Sequence, residues 1–147
     1  MPVMFTRFDG VCLAALAITI VIGMVDTDGV IFGAALLITA TLHGLRMVRW
    51  RGHLTLRDPL VAMLHFAYFW VPAGLAAFGI AHIWPDVIAA RDALHGLTGG
   101  AMACMIIAIG GRAALGHTGR ELRASWALNA AFGLVWMSTV LRLLVGQ

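Results

Sequence analysis

The chain has 147 residues, of which 61% are hydrophobic and 12% are charged, and its formal net charge is +3. A soluble domain is about half apolar and about a quarter charged, so this composition excludes an ordinary soluble protein and predicts a membrane protein of one domain. All ten basic side chains are arginines at the ends of apolar segments, which favours control of membrane topology over nucleic-acid binding.

Five apolar segments are long enough to cross a bilayer as α-helices. They predict an all-α, polytopic helical bundle with spans at about residues 8–25, 30–50, 59–82, 93–115 and 122–144. Cys12 and Cys104 lie inside different spans, so we expect two buried thiols rather than a disulfide.

The arginines are distributed unequally between the two sides of the predicted bundle. Eight of the ten fall on one side: Arg7, Arg46, Arg49, Arg51, Arg57, Arg112, Arg120 and Arg123. The opposite side has only Arg91 and Arg142, together with the acidic residues Asp26, Asp28, Asp86 and Asp92. Because arginine-rich loops stay in the cytoplasm, this predicts a cytoplasmic N-terminus and a C-terminus on the outer side.

Two histidines, His43 and His65, lie inside apolar spans, where a polar side chain usually faces a partner or a cavity. Both are predicted roughly 5–10 Å inside the arginine-rich edge, on helices that a short loop should make antiparallel neighbours. Histidines at equal depth on adjacent helices can bind one haem iron or another metal ion. Alternatively, they hydrogen-bond to the backbone or to Thr41 and Tyr68, and the sequence leaves both interpretations open.

At the arginine-poor edge, His82 and His95 flank the loop between the third and fourth spans. Asp92 precedes His95 by one helical turn, so its carboxylate is expected to orient the imidazole. A copper site or a second haem is one hypothesis for this edge, and interface histidines without a ligand are the other. His53, in the arginine-rich loop, is expected to be solvated.

The fourth span carries a small-residue face. Gly96 and Gly100 form a GxxxG pattern that Cys104 and Ala108 continue at the same spacing. Such a face lets helix backbones approach closely in lipid. We expect its partner to be a neighbouring helix, a second copy of the chain, another membrane subunit or a flat cofactor.

Several segments resemble the NnrS family, which comprises polytopic bacterial membrane proteins that carry haem and copper and act in the response to nitric oxide. The most specific is RAALGHTGREL at residues 112–122, which is similar to the family signature RxxLGHTGRxL. The segments LHGLRMVRWRG (42–52), RDPL (57–60), LHFAYFW (64–70) and ALHGLTGG (93–100) also look like family segments. The resemblance corresponds to the carboxy-terminal third of family members.

The resemblance implies a protein of the bacterial inner membrane, with haem b as its cofactor and copper as a second candidate. It implies His43, His65, His95 and His117 as candidate ligands, whereas His82 has no counterpart in the family. Arg112 and Arg120 lie at the arginine-rich edge and suit the carboxylates of haem propionates.

The predicted activity is ligand binding or electron transfer, because no hydrolase or transferase signature is present. The alternative function is a cofactor-free scaffold or transporter subunit whose histidines are structural or handle protons.

Overall fold

The computed structural model describes residues 4–26 and 29–145, and within these ranges the chain is helical, without β-strands. In this described part of the chain, five helices are long and apolar enough to cross a membrane, which confirms the predicted all-α, five-span architecture. They are α1 (Arg7–Val25), α2 (Val30–Arg49), α3 (Pro59–Ile83), α4 (Ala90–His117) and α5 (Trp126–Val145). Asp28, assigned above to the arginine-poor side, lies outside the described residues.

The start of the last helix differs from the prediction. Helix α5 begins at Trp126 rather than near residue 122, because the chain makes a turn after α4. Gly119 has a φ of 66°, a left-handed conformation that commonly ends a helix. The side-chain oxygen of Ser125 then accepts a hydrogen bond from the Leu128 N–H at 3.2 Å, which satisfies a donor in the first turn of α5.

Helix α3 is the centre of the bundle and packs between α2 and α4. Within an apolar stretch of 18 residues in each helix, 44% of the residues are buried in α3, against 17% in α1 and 11% in α5. The peripheral helices expose large apolar side chains, as expected of surfaces that contact the lipid bilayer. Aspartate caps α3 at its first turn, since the Asp58 carboxylate accepts hydrogen bonds from the backbone N–H groups of Leu60 and Val61.

The small-residue face of α4 contacts α3 of the same chain. A Cβ added at Gly96 would lie 3.1 Å from the Gly74 Cα, and one added at Gly100 would clash with the indole of Trp70. Residues Gly96–Ala103 are π-helical, a local widening within α4. Of the predicted partners, the neighbouring helix therefore occupies this face. Formation of an oligomer stays a prediction, and it would require another surface or displacement of α3.

Candidate functional site

His43 lies in α2, where its side chain is enclosed and only 2% exposed. Its Nε2 lies 3.2 Å from the Cys12 carbonyl oxygen, and its Nδ1 lies 2.6 Å from the Tyr68 hydroxyl oxygen. A carbonyl oxygen can only accept, so in the neutral ring Nε2 donates to Cys12 and Nδ1 accepts from Tyr68. Both ring nitrogens of His43 are therefore used in contacts with α1 and α3.

The hydrogen bonds of His43 continue into a buried ion pair. Arg46 donates through Nη1 to the Tyr68 oxygen at 3.1 Å and through Nε to Asp9 Oδ1 at 2.9 Å. The side chains of Arg46 and Asp9 are only 15% and 7% exposed. Asp9 also accepts from the backbone and hydroxyl groups of Thr6 at 2.8 Å. Thus one polar network, consisting of Asp9, Arg46, Tyr68 and His43, joins α1, α2 and α3 near the arginine-rich edge.

His65 is partly exposed and has a different hydrogen-bond arrangement. Its Nδ1 lies 3.0 Å from the Val61 carbonyl oxygen and 3.4 Å from the Thr55 hydroxyl oxygen. Because the carbonyl can only accept, Nδ1 carries the proton in the neutral ring and Nε2 has the lone pair. No described residue hydrogen-bonds to Nε2 of His65. This nitrogen has the electronic state that a metal ligand needs.

Two grooves open beside the His65 ring, with volumes of about 610 Å³ and about 490 Å³. Both volumes are within the range of about 300–1,000 Å³ that is usual for small-molecule sites. The larger groove is lined mostly by apolar residues: Met47, Val48, Gly52, His53, Leu56, His65, Phe66, Phe69 and Trp136. The smaller groove is lined by Trp50, Thr55, Val61, Leu64, His65, Tyr68 and Met105.

A third groove, of about 520 Å³, lies at the end of α4 and contains Arg112 and His117, both of which are exposed. Leu64 lines this groove and also the smaller groove beside His65, so the two grooves adjoin. The structure thus brings His65, Arg112 and His117 to one surface formed by α3 and α4. Arg120 does not line these grooves; its backbone N–H donates to the Leu115 carbonyl at 3.0 Å in the turn after α4.

His43 and His65 do not face each other across an open gap in this conformation. Tyr68 contacts His43. The centroid of the Trp50 ring lies 4.5 Å from the centroid of the Tyr68 ring and 6.1 Å from that of the His65 ring. Among the described residues, no hydrogen bond or ring contact joins the two histidines. To share one iron with His65, His43 would have to release Tyr68 or the backbone carbonyl of Cys12.

At the arginine-poor edge, His95 contacts two groups. Its Nδ1 lies 3.3 Å from the backbone oxygen of Asp92, and its Nε2 lies 3.4 Å from Arg142 Nη1. The backbone of Asp92, rather than the expected carboxylate, therefore orients this ring. Because arginine can only donate, Nε2 of His95 accepts this bond and its lone pair is used.

His82 packs against other groups than His95 does. Its Nδ1 lies 2.8 Å from the Phe78 carbonyl oxygen. The ring stands edge-on to Phe32 and Phe78, with centroids 5.0 Å and 4.4 Å away. Within residues 4–26 and 29–145, no hydrogen bond or ring contact joins His82 to His95, and no group of three or more His, Cys, Asp or Glu side chains could hold a metal ion.

Comparison with protein families decides the chain's membership. The model of the family described as NnrS protein matches residues 1–147. The chain belongs to the NnrS family. Neither the comparison with curated proteins nor that with solved structures found a match. Together with the five apolar helices, membership supports a multi-pass membrane protein of the nitric oxide response.

The residues beside His65 fit haem, the cofactor that the resemblance implies. An imidazole with an available lone pair borders an apolar groove, and the guanidinium of Arg112 lies in the adjoining groove, where it suits a propionate. His43 fits an axial role less well, since both of its nitrogens are bonded and its ring is enclosed. Copper fits poorly at His95 and His82, because within the described residues neither belongs to a group of three or more candidate metal ligands.

Proposed function

We propose that this NnrS-family chain binds haem b in the bacterial inner membrane, and that the imidazole of His65 would bind the iron. The observation that carries the proposal is the Nε2 of His65, which has a lone pair and no hydrogen-bond partner among the described residues beside an apolar groove. When bound, haem would supply one-electron redox chemistry. With the arginine-rich edge in the cytoplasm, the haem site would lie on that side and the C-terminus in the periplasm.

The residues around His65 would hold and shield the group. Arg112 would pair with a propionate as a charge-assisted hydrogen-bond donor. Phe66, Phe69 and Trp136 line the larger groove and would exclude water from one part of the macrocycle. Trp50 packs edge-on against His65 and would fix the orientation of its ring.

Two further histidines are candidates for a second ligand to the iron. His43 is the one predicted from its depth in α2, and its ligation requires that its bond with Tyr68 or Cys12 be broken. His117 is exposed in the groove that adjoins the His65 site, and it could ligate if the turn after α4 folds back.

A second function is favoured by the hydrogen bonds of His43. The N–H of Arg46 donates to Tyr68, whose hydroxyl donates to His43, which in turn donates to the Cys12 carbonyl. A histidine bonded at both nitrogens is what a cofactor-free scaffold or transporter subunit with structural or proton-handling histidines would contain.

Purified protein distinguishes the two functions. We expect a reduced-minus-oxidised visible spectrum typical of b-type haem, with iron in the metal analysis. His65→Ala should abolish the low-spin spectrum, because an axial ligand is lost. His53→Ala is the matched control: this exposed histidine lines the same groove, and its loss should leave the spectrum unchanged. Pure protein without haem, or a His65→Ala variant with the wild-type spectrum, would contradict the haem proposal and leave the scaffold.

Further variants assign the remaining candidates. His43→Ala is predicted to convert a six-coordinate, low-spin haem to high spin, and His117→Ala should do so instead if that residue is the second ligand. Arg112→Gln should weaken haem retention without changing the ligation. Copper at His95 and His82 is tested in the same samples, because a bound ion should disappear from the metal analysis in His95→Ala.

A further inference from the structure

The two arginines that depart from the topology pattern lie together in one groove. Arg91, at the start of α4, and Arg142, near the end of α5, are the only arginines on the arginine-poor side of the bundle. The structure places both in a groove of about 720 Å³. Its other lining residues are Asp92, Leu134, Met137, Ser138, Leu141 and Val145. Two helices therefore each contribute a guanidinium to one site at the membrane edge.

The charges of this groove are not paired within the described part of the chain. The salt bridges among the described residues are Arg46–Asp9, Arg49–Asp9 and Arg123–Glu121. None of them includes Arg91, Asp92 or Arg142. The hydrogen bond of Arg142 to His95 uses one of the five N–H donors of a guanidinium. The groove thus presents two cations and one anion that can contact a ligand.

The apolar part of the groove continues along α5. Leu134, Met137 and Leu141 are 72%, 50% and 54% exposed, and their spacing puts them on one face of the helix. Because the buried residues of α5 are Phe132 and Thr139 alone among its described positions, this face borders the bilayer. A ligand in the groove would therefore have its charged end at the membrane edge and its apolar end along the lipid-facing side of α5.

We propose that this groove binds a phospholipid with a primary ammonium, of the phosphatidylethanolamine type. The phosphodiester would be bound by Arg91 and Arg142, since guanidinium groups pair well with phosphate oxygens. The carboxylate of Asp92 would pair with the ammonium, and an acyl chain would lie along Leu134, Met137 and Leu141. Charge complementarity identifies this occupant: two cations match the phosphate, and the unpaired aspartate matches a cation on the same headgroup. The proposal is independent of haem binding.

Lipid titration of the full chain in detergent tests the site. Native mass spectrometry should show one phosphatidylethanolamine retained per chain, and the lipid should raise the unfolding temperature, because a ligand that binds the folded state stabilises it. Removal of each arginine should weaken binding by about tenfold, the effect of losing one charge-assisted contact. Arg91→Gln is the primary variant, because Arg91 has no hydrogen bond or ion pair within the described residues, and Arg142→Gln is the second.

A double variant with glutamine at Arg7 and Arg57 is the matched control, because it removes two exposed cations from the opposite edge. It should bind the lipid as wild type does. Asp92→Asn should abolish the preference for phosphatidylethanolamine over phosphatidylglycerol with the same acyl chains. Equal binding of these two lipids by the wild-type protein would overturn the headgroup assignment. Equal stabilisation by inorganic phosphate would show an anion site rather than a lipid site, and unchanged lipid binding in Arg91→Gln and Arg142→Gln would exclude the groove.

Discussion

Replacement of Tyr68 by phenylalanine should loosen the packing of α2 against α3. The hydroxyl of Tyr68 donates to His43 Nδ1 at 2.6 Å and accepts from Arg46 Nη1 at 3.1 Å. Tyr68→Phe preserves the ring that packs on Trp50 and removes only these two interhelical hydrogen bonds. His43 is enclosed, so water cannot readily replace the lost donor at its Nδ1.

The expected change in the free energy of unfolding follows from the loss of these two hydrogen bonds. Interhelical hydrogen bonds in a membrane protein contribute on average about 0.6 kcal/mol and at most about 1.7 kcal/mol each. The loss of two should therefore lower the free energy of unfolding by about 1–3 kcal/mol. At 1.4 kcal/mol for each factor of ten, the unfolding equilibrium constant should rise about 5- to 150-fold.

Reversible unfolding of the purified protein in mixed micelles, followed by tryptophan fluorescence, measures this change. Thr41→Val is the control, because the Thr41 hydroxyl is exposed and donates only to the Leu37 carbonyl of its own helix. This control should unfold as the wild type does. A Tyr68→Phe variant as stable as the Thr41→Val control would show that the Tyr68 hydroxyl does not join the helices.

The α3–α4 contact and the orientation of the chain give two more predictions. Gly100→Ala should lower the free energy of unfolding by about 1–3 kcal/mol, because the new methyl group would overlap the indole of Trp70. Gly110→Ala, where nothing lies within 4 Å, should be neutral or stabilising in the same assay, and equal losses in both variants would contradict the close contact. For the orientation, a reporter fused at His53 should be cytoplasmic and one at Asp86 periplasmic, and a cytoplasmic reporter at Asp86 would show the opposite arrangement.

The five spans could be predicted because their signal is local. Each is an apolar segment of sufficient length, and burial in lipid requires no knowledge of the neighbouring helix. The predicted start of α5 was wrong, because the apolar residues near position 122 belong to the turn that follows Gly119. The composition does not reveal the left-handed backbone conformation of that glycine. The GxxxG face predicted a close approach at Gly100, but its partner, Trp70 of α3, depends on how the helices are arranged in the bundle.

The partners of the histidines depend on the rotation of each helix about its axis, which sequence spacing gives poorly. Equal depth of His43 and His65 suggested a shared ligand, and hydrogen bonds to the backbone or to Tyr68 were the alternative. In the structure His43 has these alternative partners, the Tyr68 hydroxyl and the Cys12 carbonyl. The pairing of Asp9 with Arg46 was not predicted. Its signal was present, since Asp9 is an acidic residue at the start of an apolar span, and such a residue usually has a partner.

The tautomer of each imidazole ring distinguishes the candidate metal ligands better than the depth of each histidine in the membrane does. His43 and His95 use both nitrogens in hydrogen bonds, whereas His65 and His82 donate through Nδ1 to a carbonyl of their own helix. Of the latter two, His82 packs against two phenylalanine rings, and His65 borders the grooves. A metal ligand needs both a lone pair and space for the metal, so His65 meets the two requirements.

Tyr68 would have a second role if His43 is the other ligand of the iron. Haem could then bind only when the His43 bond to Tyr68 or to Cys12 breaks, so the hydroxyl of Tyr68 would oppose ligation through Nδ1. Tyr68→Phe frees that nitrogen. The variant should therefore be less stable without haem and yet retain haem more tightly, by up to the free energy of the lost hydrogen bond. Haem retention that is unchanged in Tyr68→Phe would indicate that His43 does not bind the iron through Nδ1.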